Sequence, residues 1–371
     1  MKEIIVVGGG LAGLISSIEL AQSGYLVTLF EKKKYPFHRV CGEYISNEVA
    51  PYFSANQLLP DLELPQIQQF ELSSIRGKSL QMPLDLGGFG LSRFALDQHL
   101  VNKASALGVQ VHEQTTILSC VFSGGKFLIE TSIGRQFESD LVIGAYGKNS
   151  ILDKKLSREF TSKRSPFLGV KYHVKTDAPK NTVSLHNFEG GYCGFSAIED
   201  GKYNLCYLGS RSVLKKYGSI AEMEENVLCK NPQLRHLFKN SDFLFDKPEV
   251  INEFSFAPKK LIENHILMAG DAAGLITPLC GNGMAMAIHS GKILADLIKV
   301  YWAGDSLKRT ELENAYLNEW NSLFKKRLWV GRQTQKLFGT KFSSELAVGL
   351  VQSVRPLAKR IMKNTHGEPF Q

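Results

Sequence analysis

The chain has 371 residues, of which 43% are hydrophobic and 22% charged, so it can bury a large core in two or three lobes. It contains no run of 18 apolar residues, and its six scattered cysteines lack metal-site spacing, which argues against a membrane span, a disulfide framework or a zinc site. The net charge of +8 arises in residues 320–371, but no nucleic-acid-binding motif accompanies it, so we expect no nucleic-acid partner. The scattered cysteines are typical of reduced thiols, so we expect a cytoplasmic protein.

The first 31 residues carry the pattern of a dinucleotide-binding unit. An apolar strand at 4–7 leads into a glycine-rich turn at 8–13 and then into a helix. A second apolar strand at 25–30 ends at the acidic Glu31. Strand, turn, helix, strand and acid in this order are typical of the Rossmann βαβ unit. The pattern therefore predicts an α/β fold that holds a dinucleotide at this turn.

Each glycine of that unit, and its acidic residue, has a physical reason. Gly8 permits the tight turn, Gly10 lets the backbone approach a pyrophosphate, and Gly13 lets helix and strand pack closely. Free N–H groups at the helix start attract the pyrophosphate, and Glu31 can accept hydrogen bonds from ribose hydroxyls. The cofactor-binding residues predicted here are Gly8, Gly10, Leu11, Ala12, Gly13, Glu31 and Lys32.

Four later segments place glycines, charges and thiols beside predicted strands. Residues 39–46 read Arg-Val-Cys-Gly-Glu-Tyr-Ile-Ser, and residues 92–100 read Ser-Arg-Phe-Ala-Leu-Asp-Gln-His-Leu. Residues 139–150 read Ser-Asp-Leu-Val-Ile-Gly-Ala-Tyr-Gly-Lys-Asn-Ser. Residues 265–291 contain a buried strand, a Gly-Asp pair, a loop rich in proline and glycine, and a helix of small residues.

With the opening unit, these segments resemble the flavoprotein superfamily of p-hydroxybenzoate hydroxylase, the flavin halogenases and the geranylgeranyl reductases. The resemblance covers roughly residues 1–300. It implies FAD as cofactor and a Rossmann-like domain of the glutathione reductase type, with an antiparallel β-sheet substrate domain and C-terminal helices. It implies that Asp271 binds the ribityl chain and that the loop 278–284 lies along the isoalloxazine. The cofactor-binding residues it implies are Arg39, Cys41, Gly42, Arg93, Gly147, Gly270, Asp271, Pro278, Gly281, Asn282, Gly283 and Met284.

The chain departs from the hydroxylase pattern at the middle motif and from the prenyl reductase pattern at residues 192–197. Tyr146 stands where the hydroxylases have Asp, and Asp153 where they have Arg, so direct use of NADPH is in doubt. NAD(P)H and ferredoxin are both kept as candidate electron donors. Gly194 and Ser196 replace the Trp and Phe of the prenyl reductase motif Tyr-x-Trp-x-Phe-Pro, and the halogenase motif Trp-x-Trp-x-Ile-Pro is absent.

Two residues of the Cys-Gly-Glu segment are candidate catalytic residues. Cys41 could protonate a substrate carbon, since a cysteine thiol is ordinarily protonated at neutral pH, and Glu43 could orient a proton donor. The alternative for Cys41 is a small buried packing residue, and for Arg93 it is a structural ion pair.

The favoured function is a geranylgeranyl-reductase-like, FAD-dependent oxidoreductase that reduces a double bond of a lipophilic substrate. The first alternative is an FAD-dependent aromatic monooxygenase, and the second is a non-catalytic protein that binds lipid or prenyl cargo. The expected partner is therefore a small lipophilic or aromatic molecule.

The domains are predicted to be discontinuous in sequence. The FAD-binding domain is assigned to residues 1–65, 93–159 and 257–305, and the substrate domain to residues 66–92 and 160–256. Residues 306–371 form a C-terminal helical segment, whose basic stretches at 323–330 and 354–363 could contact an anionic membrane peripherally or simply cap the core.

Overall fold

The computed structural model describes residues 2–162, 165–252, 254–335 and 364–371. The strands in chain order are β1 (Glu3–Val7), β2 (Leu26–Phe30), β3 (Tyr44–Ser46), β4 (Gln66–Ser73), β5 (Ser79–Gly90), β6 (Gln110–His112), β7 (Ile117–Ser123), β8 (Lys126–Thr131), β9 (Gln136–Ser139), β10 (Leu141–Gly144), β11 (Phe167–Lys175), β12 (Thr182–Phe188), β13 (Gly191–Ala197), β14 (Tyr203–Ser210), β15 (Asp242–Phe243), β16 (Glu249–Ile251), β17 (Ile262–Glu263) and β18 (Ile266–Met268). The helices are α1 (Leu11–Gln22), α2 (Ala50–Ala55), α3 (Arg93–Ala106), α4 (Ile151–Lys155), α5 (Arg211–Tyr217), α6 (Ile220–Asn226), α7 (Pro232–Asn240), α8 (Gly283–Tyr301) and α9 (Arg309–Gln335).

The first sheet is the predicted Rossmann-like sheet. Its strands lie in the order β17-β18-β10-β1-β2-β6, and every pair except β17–β18 is parallel. The central strands are continuous apolar runs and are buried, as is usual in parallel sheets. Helix α1 packs against this sheet, and Phe137 of β9 packs on Phe30 of β2. The carboxyl ends of β1, β2, β10 and β18 therefore meet at one edge, where α/β folds place their ligands.

The second sheet has nine strands and is the predicted substrate-domain sheet. Its path runs β15-β11-β14-β13-β12-β4-β5-β3, and β16 pairs with β11 beside β15. Its described pairs are antiparallel except β4–β12. β3 comes from the predicted FAD-binding segment yet pairs with β5, so the chain between residues 39 and 46 crosses from the first sheet to the second.

Two further parts belong to the described fold. Strands β7, β8 and β9 form a small antiparallel sheet. Helix α9 confirms a helical C-terminal segment and buries one side against the core, through Leu312, Tyr316, Trp320, Phe324 and Leu328. The basic stretch predicted at 354–363 lies outside the described residues. Among the described helices, none is long and apolar enough to span a bilayer.

Candidate functional site

The glycine-rich turn after β1 has no room for side chains. Gly8 has φ of +105°, and a Cβ there would lie 2.5 Å from the carbonyl oxygen of Ala145. A Cβ on Gly13 would lie 2.0 Å from the carbonyl oxygen of Gly8. Gly10 is the N-cap of α1, and no side chain caps the helix there. Bare backbone at a helix N-terminus favours an anion such as a pyrophosphate.

Glu31 joins this turn from the end of β2. Its carboxylate accepts hydrogen bonds from the backbone N–H of Gly9 and of Lys33, both at 3.0 Å. It also forms an ion pair with Arg39, with 3.0 Å between Oε2 and Nη2. Glu31 is buried, whereas the neighbouring Lys32 is exposed. The acid therefore occupies the expected position at the turn and is held there by three donors.

Two arginines are fixed beside the turn by one buried carboxylate. Arg39 Nε lies 2.9 Å from Asp97, and Arg93 Nε lies 2.7 Å from it. Arg93 Nη2 would also lie 3.6 Å from a Cβ placed on Gly10. The ion pair considered as the alternative role of Arg93 is thus present. It also holds the guanidinium where it can face a phosphate.

The second glycine motif packs directly on the first. Gly270 has φ of +60°, and a Cβ there would lie 2.9 Å from the Cβ of Ala12. The Gly270 N–H donates to Ser290 Oγ at 3.2 Å. The carbonyl oxygen of Asp271 accepts a hydrogen bond from Lys259 Nζ at 2.8 Å. Burial lowers the pKa of Lys259 to about 8, although Asp271 opposes that change.

Two contacts hold the loop after this motif. Residues 278–284 are predicted above to lie along the isoalloxazine, and we call them the flavin loop. The hydroxyl of Tyr192 on β13 accepts a hydrogen bond from the Leu279 N–H at 2.9 Å. Cys280 Sγ lies 3.4 Å from Thr277 Oγ1, and burial raises the pKa of the Cys280 thiol to about 11. The loop is therefore anchored to Tyr192 of the second sheet and to Thr277, the residue just before the loop.

The middle motif contains a buried cluster that replaces the hydroxylase pattern. Tyr146 donates to Asp153 at 3.0 Å, and Arg158 contacts Tyr146 at 3.1 Å and Asp153 at 2.9 Å. Arg158 also donates to the carbonyl oxygen of Ala272 at 3.0 Å. Gly147, with φ of +83°, follows this tyrosine. Asp153 and Arg158 supply an acid and a base at this motif, and Arg158 connects the motif to Ala272, the residue after Asp271.

The Cys-Gly-Glu segment is pinned between the two sheets through its backbone. Asn204 Nδ2 on β14 donates to the carbonyl oxygens of Cys41 and Gly42, at 3.1 and 2.8 Å. Lys148 Nζ, from the middle motif, donates to the carbonyl oxygen of Val40 at 3.1 Å. Cys41 is only partly buried and is a free thiol. The backbone of this segment is thus fixed, and the partly buried Cys41 also packs against the main core.

Glu43 anchors the same segment through a buried ionic cluster. Its carboxylate lies 2.5 Å from Lys171 Nζ and 2.7 Å from His173 Nε2, and it accepts the Arg93 backbone N–H at 2.8 Å. All three side chains are almost completely buried. Burial would raise the pKa of Glu43, but Lys171 and His173 outweigh it and lower the pKa to about 2. Glu43 is therefore ionised and does not itself donate a proton.

One row of residues across the second sheet borders an open space. Leu185, Gly194, Cys206 and Lys171 are direct partners on adjacent strands, so their side chains share one face. Gly194 and Cys206 are partly exposed, although most of their strand neighbours are buried. Among the described residues, a Cβ on Gly194 would meet only the carbonyl oxygen of Cys206, at 3.6 Å. This part of the structure therefore leaves room for a side chain over Gly194.

The structure brings most of the predicted residues to the carboxyl edge of the first sheet, with the Cys-Gly-Glu segment beside it. Sequence reasoning missed four side chains that hold these parts, namely Arg158, Lys171, His173 and Asn204. Lys171 and His173 gave one usable signal, because they alternate with the buried apolar Val170, Tyr172 and Val174 along β11. Polar residues at every second position of an otherwise apolar strand indicate a second polar face. Among the described residues, no group of three or more His, Cys, Asp or Glu could hold a metal ion.

Comparison with known proteins gives matches to two domain families, to known enzymes and to a solved structure. Residues 90–310 match the family described as FAD binding domain, and residues 6–47 match an NAD(P)-binding Rossmann-like domain. Digeranylgeranylglycerophospholipid reductase 2 of Methanopyrus kandleri is 22% identical, over 93% of this chain and 88% of that protein. Kynurenine 3-monooxygenase of Cytophaga hutchinsonii is 24% identical, over 80% and 73%. A triple mutant of the flavin-dependent brominase Bmp2 has the same fold, with a TM-score of 0.77 at 18% identity, covering 97% of this chain and 94% of that one.

Proposed function

Because this chain belongs to the FAD binding domain family and is an FAD-dependent oxidoreductase, we propose that it reduces a carbon–carbon double bond of a lipophilic substrate. The observation that carries this proposal is the cluster of apolar side chains that lies between the second sheet and the flavin loop. The reductase relative from Methanopyrus kandleri supports the same reaction class.

The residues present fit FAD. The turn at Gly8 and Gly13 is so close to neighbouring backbone that only glycine can be accommodated, which leaves the start of α1 open to a pyrophosphate. Arg39 and Arg93 supply positive charge beside that turn. We propose that Glu31 meets the ribose, that Asp271 meets the ribityl chain, and that the flavin loop meets the ring.

An apolar cluster next to the flavin loop suits a lipophilic substrate. It lies between the second sheet and the flavin loop, and burial of apolar substrate atoms there would contribute about 25 cal/mol per Å². Its buried members are Leu72, Leu185, Tyr192, Leu208, Phe254 and Leu275, and the partly buried residues packed on them are Phe70, Phe167, Ile251, Phe256 and Leu279.

In this mechanism the protein supplies the proton and the geometry. When bound and reduced, FAD would supply a hydride for one alkene carbon. Cys41 donates its thiol proton to the other carbon, and water reprotonates the thiolate. Glu43 acts by fixing the segment that carries Cys41. We propose NAD(P)H or ferredoxin as the source of electrons that restores reduced FAD.

The second candidate is an aromatic monooxygenase. The Gly194 space favours it because, without the bulky side chain of the prenyl reductase motif, a planar ring could fit there. The kynurenine 3-monooxygenase relative supports this reaction class. The rearranged cluster of Tyr146, Asp153 and Arg158 favours the reductase, since the hydroxylase arrangement at that motif serves NADPH as well as FAD.

Anaerobic turnover distinguishes the two reactions. The purified protein, loaded with FAD and reduced chemically, would be mixed with digeranylgeranylglycerophospholipid under argon and the products analysed by mass spectrometry. We expect products heavier by two hydrogens per reduced bond without oxygen. A strict requirement for oxygen with kynurenine or another aromatic compound, and incorporation of one oxygen atom, would reject the reductase.

We also propose a cytoplasmic location with peripheral membrane contact through α9. Trp329 is 57% exposed, and Lys325 and Lys326, one turn before it, are exposed as well. A Trp among basic residues is a typical interfacial anchor, and each Lys near an anionic bilayer adds about 1 kcal/mol. Co-sedimentation with phosphatidylglycerol vesicles but not phosphatidylcholine vesicles, weakened in Trp329→Ala, is the expected result. Equal recovery with both vesicle types would exclude the contact.

A further inference from the structure

The end of the chain returns to the flavin loop. We call residues 364–371 the C-terminal tail. Asn282 Nδ2, in the flavin loop, donates to the carbonyl oxygen of Thr365 at 2.9 Å, and both residues are buried. The ring of Phe370 stacks on His289 of α8, with centroids 3.8 Å apart and planes at 10°. The tail thus contacts both the loop and the helix that the loop begins.

A buried carboxylate joins the tail to the same region. Glu48 accepts from Arg327 of α9 at 3.3 Å, and its backbone oxygen accepts the Phe370 N–H at 3.1 Å. Burial raises the pKa of Glu48, while Arg327, Asn282 and the backbone of Gly367 oppose that rise. A Cβ on Gly367 would lie 2.0 Å from Glu48 Oε2, so the tail backbone packs closely against this carboxylate.

Asn282 contacts the tail and also lies in the loop that is proposed to meet the flavin ring. It is the N-cap of α8, but its side-chain oxygen accepts no capping hydrogen bond, and its amide nitrogen is held by the tail. Its Oδ1 is buried and has no hydrogen-bond partner among the residues that the structure describes. A buried acceptor without a partner is unfavourable, and a ligand with an N–H donor, such as the isoalloxazine ring, would satisfy it.

We propose that the C-terminal tail is a positioning element of the FAD site, which holds Asn282 and thereby sets the shape of the flavin loop. This inference rests on the proposed function, in which that loop meets the flavin ring. It predicts that the tail contributes to FAD affinity even though no tail residue needs to touch FAD.

The test compares two phenylalanines in matched surroundings. Phe370 is partly buried with its ring on His289, and Phe122 is partly buried with its ring on His265, 4.5 Å away in the small sheet region. FAD would be titrated into apoprotein and the dissociation constant measured by calorimetry. We expect Phe370→Ala to raise the dissociation constant at least tenfold and Phe122→Ala to leave it within twofold.

Further measurements make the outcomes distinct. The melting temperature of each apoprotein records the loss of stability, which should be similar for the two variants. In the wild type, amide hydrogen exchange of the tail should slow when FAD is added, and this needs no variant to fold. Equal FAD affinity in all three proteins, an equal loss in both variants, or unchanged tail exchange would overturn the tail proposal. Wild-type protein that takes up no FAD would instead overturn the assignment of the FAD site itself.

Discussion

The turn that is proposed to hold the nucleotide and the segment that carries Cys41 are built in contrasting ways. The turn uses glycines that lie within six residues of one another, and its constraints are backbone contacts of 2.0–2.5 Å that any Cβ would create. The Cys41 segment depends on buried charge, since Glu43 meets Lys171 across 128 positions of the chain. Local sterics fix the first region, whereas remote electrostatic pairing fixes the second.

Breaking the buried pair should have the largest effect. Glu43→Gln leaves Lys171 buried without its counter-charge, which typically costs about 3–5 kcal/mol of the free energy of unfolding. Urea denaturation measures this loss. The double variant Glu43→Gln with Lys171→Met removes both charges and should recover most of it. A double variant as unstable as the single one would show that packing, and not charge, holds the segment.

Acid should weaken the same region selectively. Glu43 has a pKa of about 2 when folded, against about 4.3 for a free glutamate, so the unfolded chain binds more protons between these values. Stability from Glu43 is therefore complete above about pH 4.5 and falls as the pH drops toward 2, by roughly 3 kcal/mol in all. The loss between pH 5.5 and 3.5 should be smaller in Glu43→Gln than in the wild type. Parallel profiles for the two proteins would contradict the low pKa.

Changing the thiol should affect catalysis and leave cofactor binding alone. Cys41→Ser keeps the size of the side chain but removes the proposed acid, so anaerobic turnover should slow by roughly 10²-fold or more. FAD affinity measured in parallel should stay within twofold. Cys120→Ser on β7, in the small sheet, is the control and should retain turnover. Full activity of Cys41→Ser would reduce Cys41 to a packing residue.

Substitutions in the nucleotide region should lower the affinity for FAD. Glu31→Ala and Asp271→Ala should each weaken FAD binding by about 1–3 kcal/mol, the usual value for a hydrogen bond to a charged group. Calorimetric titration of the apoproteins measures this change. Glu138→Ala alters an exposed acid on β9 and serves as the control. Unchanged affinity in both site variants would move the nucleotide away from this turn.

The contrast also explains what could be predicted from sequence. The turn at Gly8 and the pair Gly270-Asp271 were predictable because their spacing is local and each glycine has a steric reason. The family relationship and the two-sheet architecture followed from these motifs, and both are confirmed. The partners of Glu43 were not predictable, because they depend on the register of β11 against β14. The contact between Thr365 and Asn282 likewise depends on the folded path of the C-terminal residues.

The contact of α1 with α8 has a consequence for how the protein is made. Ala12 touches Gly270, and a Cβ on Gly291 would lie 2.5 Å from the carbonyl oxygen of Ala12. Ser16 Oγ, one turn further along α1, donates to the carbonyl oxygen of Gly291 at 3.0 Å. Helix α1 therefore completes its packing only after the ribosome has synthesised α8, which ends at Tyr301. Nascent chains that end before α8 should emerge as apoprotein, and cofactor loading should follow synthesis.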